Sequence, residues 1–110
     1  SSTIINTFNY RMRKLKNIHP GEVLAEEFLS PLGITRYRLS KETGIPQSRI
    51  SAIIKGKRAV TAETALCLSK YFGTTAKFWL GLQADFDIEE EAKHIRSRLH
   101  TIRRFSGKAA

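Results

Sequence analysis

The chain has 110 residues, 41% of them hydrophobic, enough for one small domain around a single core and too few for two enzyme-sized domains. Nineteen Lys and Arg against ten Asp and Glu leave a formal net charge of +9, a field that suits a polyanionic partner. The single cysteine, Cys67, excludes an internal disulfide and fits a reducing cytoplasm, and no apolar run is long enough for a membrane helix.

Residues 1–17 contain few core-forming residues and four close-set bases, Arg11, Arg13, Lys14 and Lys16, and read as a flexible basic arm or a solubilising tail. They lack the apolar core of a secretory signal, and Met12, the only methionine, is a possible natural start, so no function is hung on this segment. Residues 18–92 are expected to form one domain, and residues 93–110 a basic C-terminal extension. Pro20 opens a first helix, with Glu22, Glu26 and Glu27 suited to its N-terminus and Leu24 with Phe28 as an apolar pair; Pro31 and Gly33 stop it. Thr35 caps a second helix that ends at Gly44, and a third begins near Pro46 or Gln47, carries Ile50, Ile53 and Ile54, and closes at Gly56. Thr61 caps a fourth helix, with Glu63 in its first turn, ending at Gly73. Thr75 caps a fifth, in which Phe78, Leu82 and Phe86 recur every four residues beside Trp79. Ile95, Leu99 and Ile102 suggest one more short helix, and no segment alternates as a strand would. The expected fold is all-α, five helices with a helical C-terminal extension.

Charge concentrates where two of these helices meet. Ile34 to Val60 holds seven bases (Arg36, Arg38, Lys41, Arg49, Lys55, Lys57, Arg58) against one acid, Glu42. Two short helices joined through Gly44 and Ile45 have the pattern of a helix-turn-helix, whose second helix enters the major groove of DNA. Ser40 supplies the small side chain for the close crossing, and Leu39, Ile45, Ile50 and Ile53 fall where inward-facing residues lock the pair. A small helical bundle with a solvated basic face is the competing interpretation, as is attraction to a membrane surface by charge alone.

With Ile50, Ile53 and Ile54 inward, about 100° per residue points Ser48, Ala52 and Lys55 outward, with Arg49 and Ser51 on the flanks. Small residues let the helix sit deep in a groove, where Ser reaches a base edge and the Ala methyl meets a thymine methyl. Gln47 either reads adenine or only helps cap the helix. Arg49 reads guanine, binds phosphate, or is a solvated charge. Thr35 and the N–H groups that start the second helix form an anion site beside Arg36, and Lys55, Lys57 and Arg58 grip the duplex at the far end of the reading helix.

The stretch from Ile18 to about Ile88 resembles the XRE, or Cro/phage-repressor, class of helix-turn-helix domains, and within it the HigA (VapI-like) antitoxins. The resemblance rests on His19-Pro20-Gly21-Glu22-Val23-Leu24, on Gly56-Lys57-Arg58 followed by Thr61-Ala62-Glu63-Thr64-Ala65, and on Phe78-Trp79-Leu80 with Leu82-Gln83. It implies a cytoplasmic homodimer that represses its own operon at a palindromic double-stranded operator and neutralises a HigB/RelE-like mRNA endonuclease toxin. Carried over, the operator contacts fall on Arg36, Gln47, Ser48, Arg49, Ser51 and Ala52, with phosphate contacts around Lys55 to Arg58. Two positions depart from the wider class: Pro46 stands where Ser or Thr often caps the reading helix and lacks a donor, and Ser40 replaces the usual Ala.

Phe78, Trp79, Leu82 and Phe86 are expected at a seam between two copies, with intramolecular core as their alternative. The five acids of Asp85 to Glu91 either attract a basic toxin or solvate a helix. An enzyme is disfavoured: His19, His94 and His100 are scattered, with no nucleophile, carboxylate pair, phosphate loop or metal-ligand spacing near them, and no cofactor is implied. The nearer rival is a stand-alone repressor with the same operator chemistry and no toxin.

Overall fold

The computed structural model describes residues 17–107, which form six helices and no strand. Residues 1–16 of the expected basic arm, 1–17, and residues 108–110 of the expected C-terminal extension lie outside the described residues. Asn17, assigned to that arm, is tied to the domain: its Nδ2 donates to the Phe86 carbonyl and to a Glu90 carboxylate oxygen, each at 2.9 Å.

Helix α1 starts as Pro20–Val23, widens into a π turn over Leu24–Leu29 and ends with Ser30–Leu32. His19 caps it, Nδ1 accepting from the Gly21 N–H at 2.9 Å, and Pro20 takes a first-turn position where its missing N–H costs nothing. Pro31 does not stop the helix as expected; it lies inside the last turn, and Gly33, at φ 66°, ends it. A proline inside a helix lacks its N–H and crowds the carbonyl four residues back. The π turn immediately before it, where the Ser30 N–H bonds to the Ala25 carbonyl, shifts the hydrogen-bond register and accommodates the ring.

The remaining boundaries follow their caps. Helix α2 spans Arg36–Thr43, α3 Gln47–Ile54, α4 Ala62–Phe72 and α5 Ala76–His94. The Thr35, Thr61 and Thr75 hydroxyls accept from the N–H three residues on, of Arg38, Thr64 and Phe78. Helix α6, Arg96–Thr101, is the short helix expected from Ile95, Leu99 and Ile102, although Leu99 and Ile102 are exposed. Helix α5 runs through the boundary expected at residue 92; its buried residues are Trp79 and Gln83, and every residue from Asp87 to His94 is exposed, so the helix reaches past the core.

The core is a single cluster of Leu24, Leu29, Leu39, Ile45, Ile50, Ile53, Val60, Ala65, Leu68 and Trp79. Burying each large side chain contributes about 1.5–3 kcal/mol. Trp79, expected at a seam between copies, is instead enclosed by its own chain at 0% exposure. Phe28 and Phe78 stack against it at 5.0 Å between ring centroids, and its indole N–H donates to the Thr74 hydroxyl at 2.8 Å, so burial leaves no polar atom unpaired.

Two contacts set α3 in this frame. Gly21 is buried where α1 crosses the end of α3; a Cβ there would fall 1.8 Å from the Ile53 carbonyl oxygen, so no side chain fits. Gln83, buried on α5, accepts from the Val60 N–H through Oε1 at 2.7 Å and donates through Nε2 to Asp87 at 2.9 Å. The loop that leaves α3 is thereby anchored to the long helix.

Gly21→Ala is expected to cost about 3 kcal/mol by forcing α1 off α3. Gly81→Ala, mid-helix with nothing within 4 Å of the added Cβ, should instead gain about 0.5–1 kcal/mol; urea melts of the two variants check both signs. The His19 imidazole is held below its ordinary pKa, first by burial, with Asp87 opposing the shift. The unfolded chain therefore binds the extra proton more readily than the folded one. This contribution to stability is complete above pH about 6.5 and is lost as pH falls through the lowered folded value. Thermal melts from pH 7.5 to 5.5 should show falling stability, with a shallower slope in His19→Asn.

Candidate nucleic-acid interface

The turn between α2 and α3 is closed by side chains as well as packing. The Ser40 hydroxyl donates to the Ile45 carbonyl at 2.6 Å, the Thr43 hydroxyl donates to the Leu39 carbonyl at 2.6 Å, and the Ile45 N–H returns to the Thr43 oxygen at 3.2 Å. Leu39, Ile45, Ile50 and Ile53 are buried as the helix-turn-helix pattern requires. Ser40 is therefore more than a small residue at a crossing. The hydroxyl that replaces the usual Ala methyl was the signal for its bond to the turn.

Helix α3 presents Gln47 and Ser48 exposed in its first turn and Lys55 exposed at its end. Pro46 precedes it without a side-chain cap; its carbonyl accepts from the Arg49 and Ile50 N–H groups at 3.0 and 3.1 Å. Ser51, expected on the flank, is half-buried, and Ala52, expected outward, is half-buried as well. The chain closes back over this turn: the Lys57 N–H bonds to the Ala52 carbonyl and the Gly56 N–H to the Ile53 carbonyl, both at 2.9 Å. These two bonds, with Gly56 at φ 75°, make a Schellman cap. Exposed Lys55, Lys57 and Arg58 are thus carried on a defined turn at the end of α3, and the His19 ring packs against Gly56 from the other side.

Arg36, expected beside the anion site of α2, and Arg49, expected on the flank of the outer face of α3, have different partners. Arg36, exposed in the first turn of α2, donates from Nη1 to the Ser51 hydroxyl at 3.4 Å, which joins α2 to α3. Arg49, half-buried on α3, forms an ion pair with Glu63 of α4 at 3.2 Å. Arg38 is paired with Glu42 at 3.2 Å, and the Tyr71 hydroxyl also donates to Glu42. The Tyr71 bond is the first cause holding the Glu42 carboxyl below its ordinary pKa, and the same bond raises the Tyr71 pKa. Arg38 is engaged by the fold, whereas Arg36 reaches the middle of α3 and Lys55, Lys57 and Arg58 stand exposed at its end. Thr35 uses its hydroxyl on the Arg38 N–H, and the Arg36 and Tyr37 N–H groups precede the first intrahelical bond.

Of the residues expected at a seam, Phe78 is 39% exposed, Leu82 is half-buried against the core, and Phe86 is half-buried with its ring edge-on to His19 at 4.9 Å. Only Phe78 is open along that stripe. Among the described residues no cluster of His, Cys, Asp or Glu is arranged to hold a metal ion, and no helix is long and apolar enough to cross a membrane. The sequence carries no signal for the contact of Glu63 with Arg49, because an acid in the first turn of a helix is already accounted for by the helix dipole.

The Helix-turn-helix family matches residues 24–79, which contain α2, the turn and α3. Virulence-associated protein I of Dichelobacter nodosus is 44% identical over 72 residues, covering 66% of this chain and 67% of the relative. Among solved structures, an addiction module antidote protein of a HigA family from Coxiella burnetii superposes with a TM-score of 0.77 at 41% identity, over 82% of this chain and 99% of that one. The Pseudomonas aeruginosa antitoxin HigA, solved with the higBA promoter, superposes with a TM-score of 0.78 at 28% identity, over 82% and 99%. Fold, turn chemistry and these matches agree that the chain belongs to the helix-turn-helix family of DNA-binding, non-enzymatic proteins, in the group of the HigA antitoxins and virulence-associated protein I.

Proposed function

We propose that this protein is the antitoxin of a type II toxin-antitoxin module, acting in the cytoplasm: as a homodimer it binds a palindromic operator in its own promoter, and it neutralises a HigB/RelE-like mRNA endonuclease. The observation that carries the DNA half is the exposed first turn of α3, with Gln47 and Ser48, on a helix that has Arg36 at its middle through Ser51 and the capped turn of Lys55, Lys57 and Arg58 at its far end. Gln47, Ser48, Arg49, Ser51 and Ala52 are assigned to the bases, and Thr35, Arg36, Lys55, Lys57 and Arg58 to phosphates. The Pseudomonas relative solved with promoter DNA supports this reading, and the antidote and antitoxin relatives support the toxin half. Two copies hold their reading helices one DNA turn apart through the Phe78, Leu82 and Phe86 stripe of α5.

If about six phosphates are neutralised per protomer, the affinity for promoter DNA falls with a log-log salt slope of about −5. Arg36→Ala should make that slope less steep by about one and weaken binding alike across sequences, measured by gel shift at several salt concentrations. Sedimentation tests the seam: the wild-type chain runs as a dimer, and Phe78→Glu shifts it toward monomer without loss of helix content. A pull-down of the tagged chain from its native extract should recover a small toxin; a sequence-dependent shift with no such partner would leave a stand-alone repressor.

A further inference from the structure

The ion pair between Arg49 and Glu63 links the reading helix to a helix that is assigned no part in reading. Glu63 is the second residue of α4, after the Thr61 cap, and its neighbours Thr64 and Ala65 are buried, so its backbone is fixed to the core. Its carboxylate takes Nη1 of Arg49 at 3.2 Å. The Arg49 side chain is 25% exposed and that of Glu63 76%, so a largely solvent-exposed carboxylate holds one end of a mostly covered arginine. Exposed pairs contribute little to stability, so the larger consequence is orientation.

The bond at Nη1 leaves the Nε and Nη2 edge of Arg49 as two parallel donors, the fork that matches O6 and N7 of guanine. The carboxylate beside that fork acts on phosphate differently. A phosphate approaching Arg49 meets the negative charge of Glu63, whereas a guanine edge carries no net charge to be repelled. Arg36, by contrast, rests on a neutral hydroxyl, that of Ser51, and keeps its full attraction for the backbone. We propose that Glu63 is a positioning and specificity-determining residue: it orients Arg49 toward a guanine of the operator and away from phosphates. This rests on the operator reading above, and the experiment separates the two.

Affinities of wild type, Glu63→Gln, Arg49→Ala and the double variant are measured on promoter DNA and on a random duplex of equal length, at matched salt. Circular dichroism melts verify that each variant folds. Glu63→Gln should tighten binding to random DNA and lower the ratio of promoter to random affinity about tenfold, the scale of one bidentate base contact. In the Arg49→Ala background the same substitution should leave that ratio unchanged, since no guanidinium remains to be oriented. The operator position at which Arg49→Ala loses its preference should be a G·C pair. An unchanged ratio in Glu63→Gln overturns the proposal, as does an equal effect in both backgrounds, which a role limited to charge or to the helix dipole would give. A wild-type chain with no preference for its promoter overturns the operator reading itself, and this inference with it.

Discussion

The geometry of the DNA-facing half depends on the place where α1 meets the end of α3 without a side chain between them. Gly21 lies so close to the Ile53 carbonyl that even a methyl group is excluded, and that carbonyl also receives the Gly56 N–H of the cap. One backbone oxygen thus marks the end of the reading helix, the start of the basic turn and the crossing of α1. His19 holds the other side of the junction, capping α1 through Gly21 while its ring packs between Gly56 and Phe86. The residues that open the chain's resemblance to the HigA group therefore act by fixing the second helix of the helix-turn-helix.

A second support comes from α5. Gln83 gives the Val60 N–H its acceptor in the core, and Asp87 in turn accepts from Gln83, so the loop after α3 is bound to the long helix by a satisfied polar chain. A buried N–H with no acceptor is costly, which makes this glutamine a structural requirement of the loop that carries Lys57 and Arg58. The same helix extends beyond the core with Ile88 exposed and five acids in its second half. Its ends therefore serve different purposes, burial around Trp79 and solvent-exposed charge toward His94.

Charge is distributed by partner as well as by position. Arg38 and Arg49 are held by carboxylates, Arg36 by a hydroxyl, and Lys55, Lys57 and Arg58 stand exposed on a capped turn. A net charge of +9 describes the whole chain, but the field at the groove is set by which of these cations already has an anion beside it.

Much of this was legible in the sequence, because it is local. Threonine caps, helix-ending glycines and the spacing of Leu39, Ile45, Ile50 and Ile53 act within a few residues and give the helices and the turn directly. The faces followed less completely: Ala52 looked outward by helical angle, and it is half-buried where the returning chain bonds to its carbonyl. Pro31 looked like a stop, and the π turn ahead of it carried the helix on. What periodicity cannot contain is contact between distant residues. Trp79 went to the core rather than a seam because Phe28, fifty-one positions away, packs on it, and Arg49 met Glu63 only because the chain after α3 brings the first turn of α4 within reach of it. The sequence by itself determined the helices, most of their ends and the helix-turn-helix pattern; the tertiary structure decided which side chains of α3 are exposed and which are held by partners, since that depends on what packs against each one.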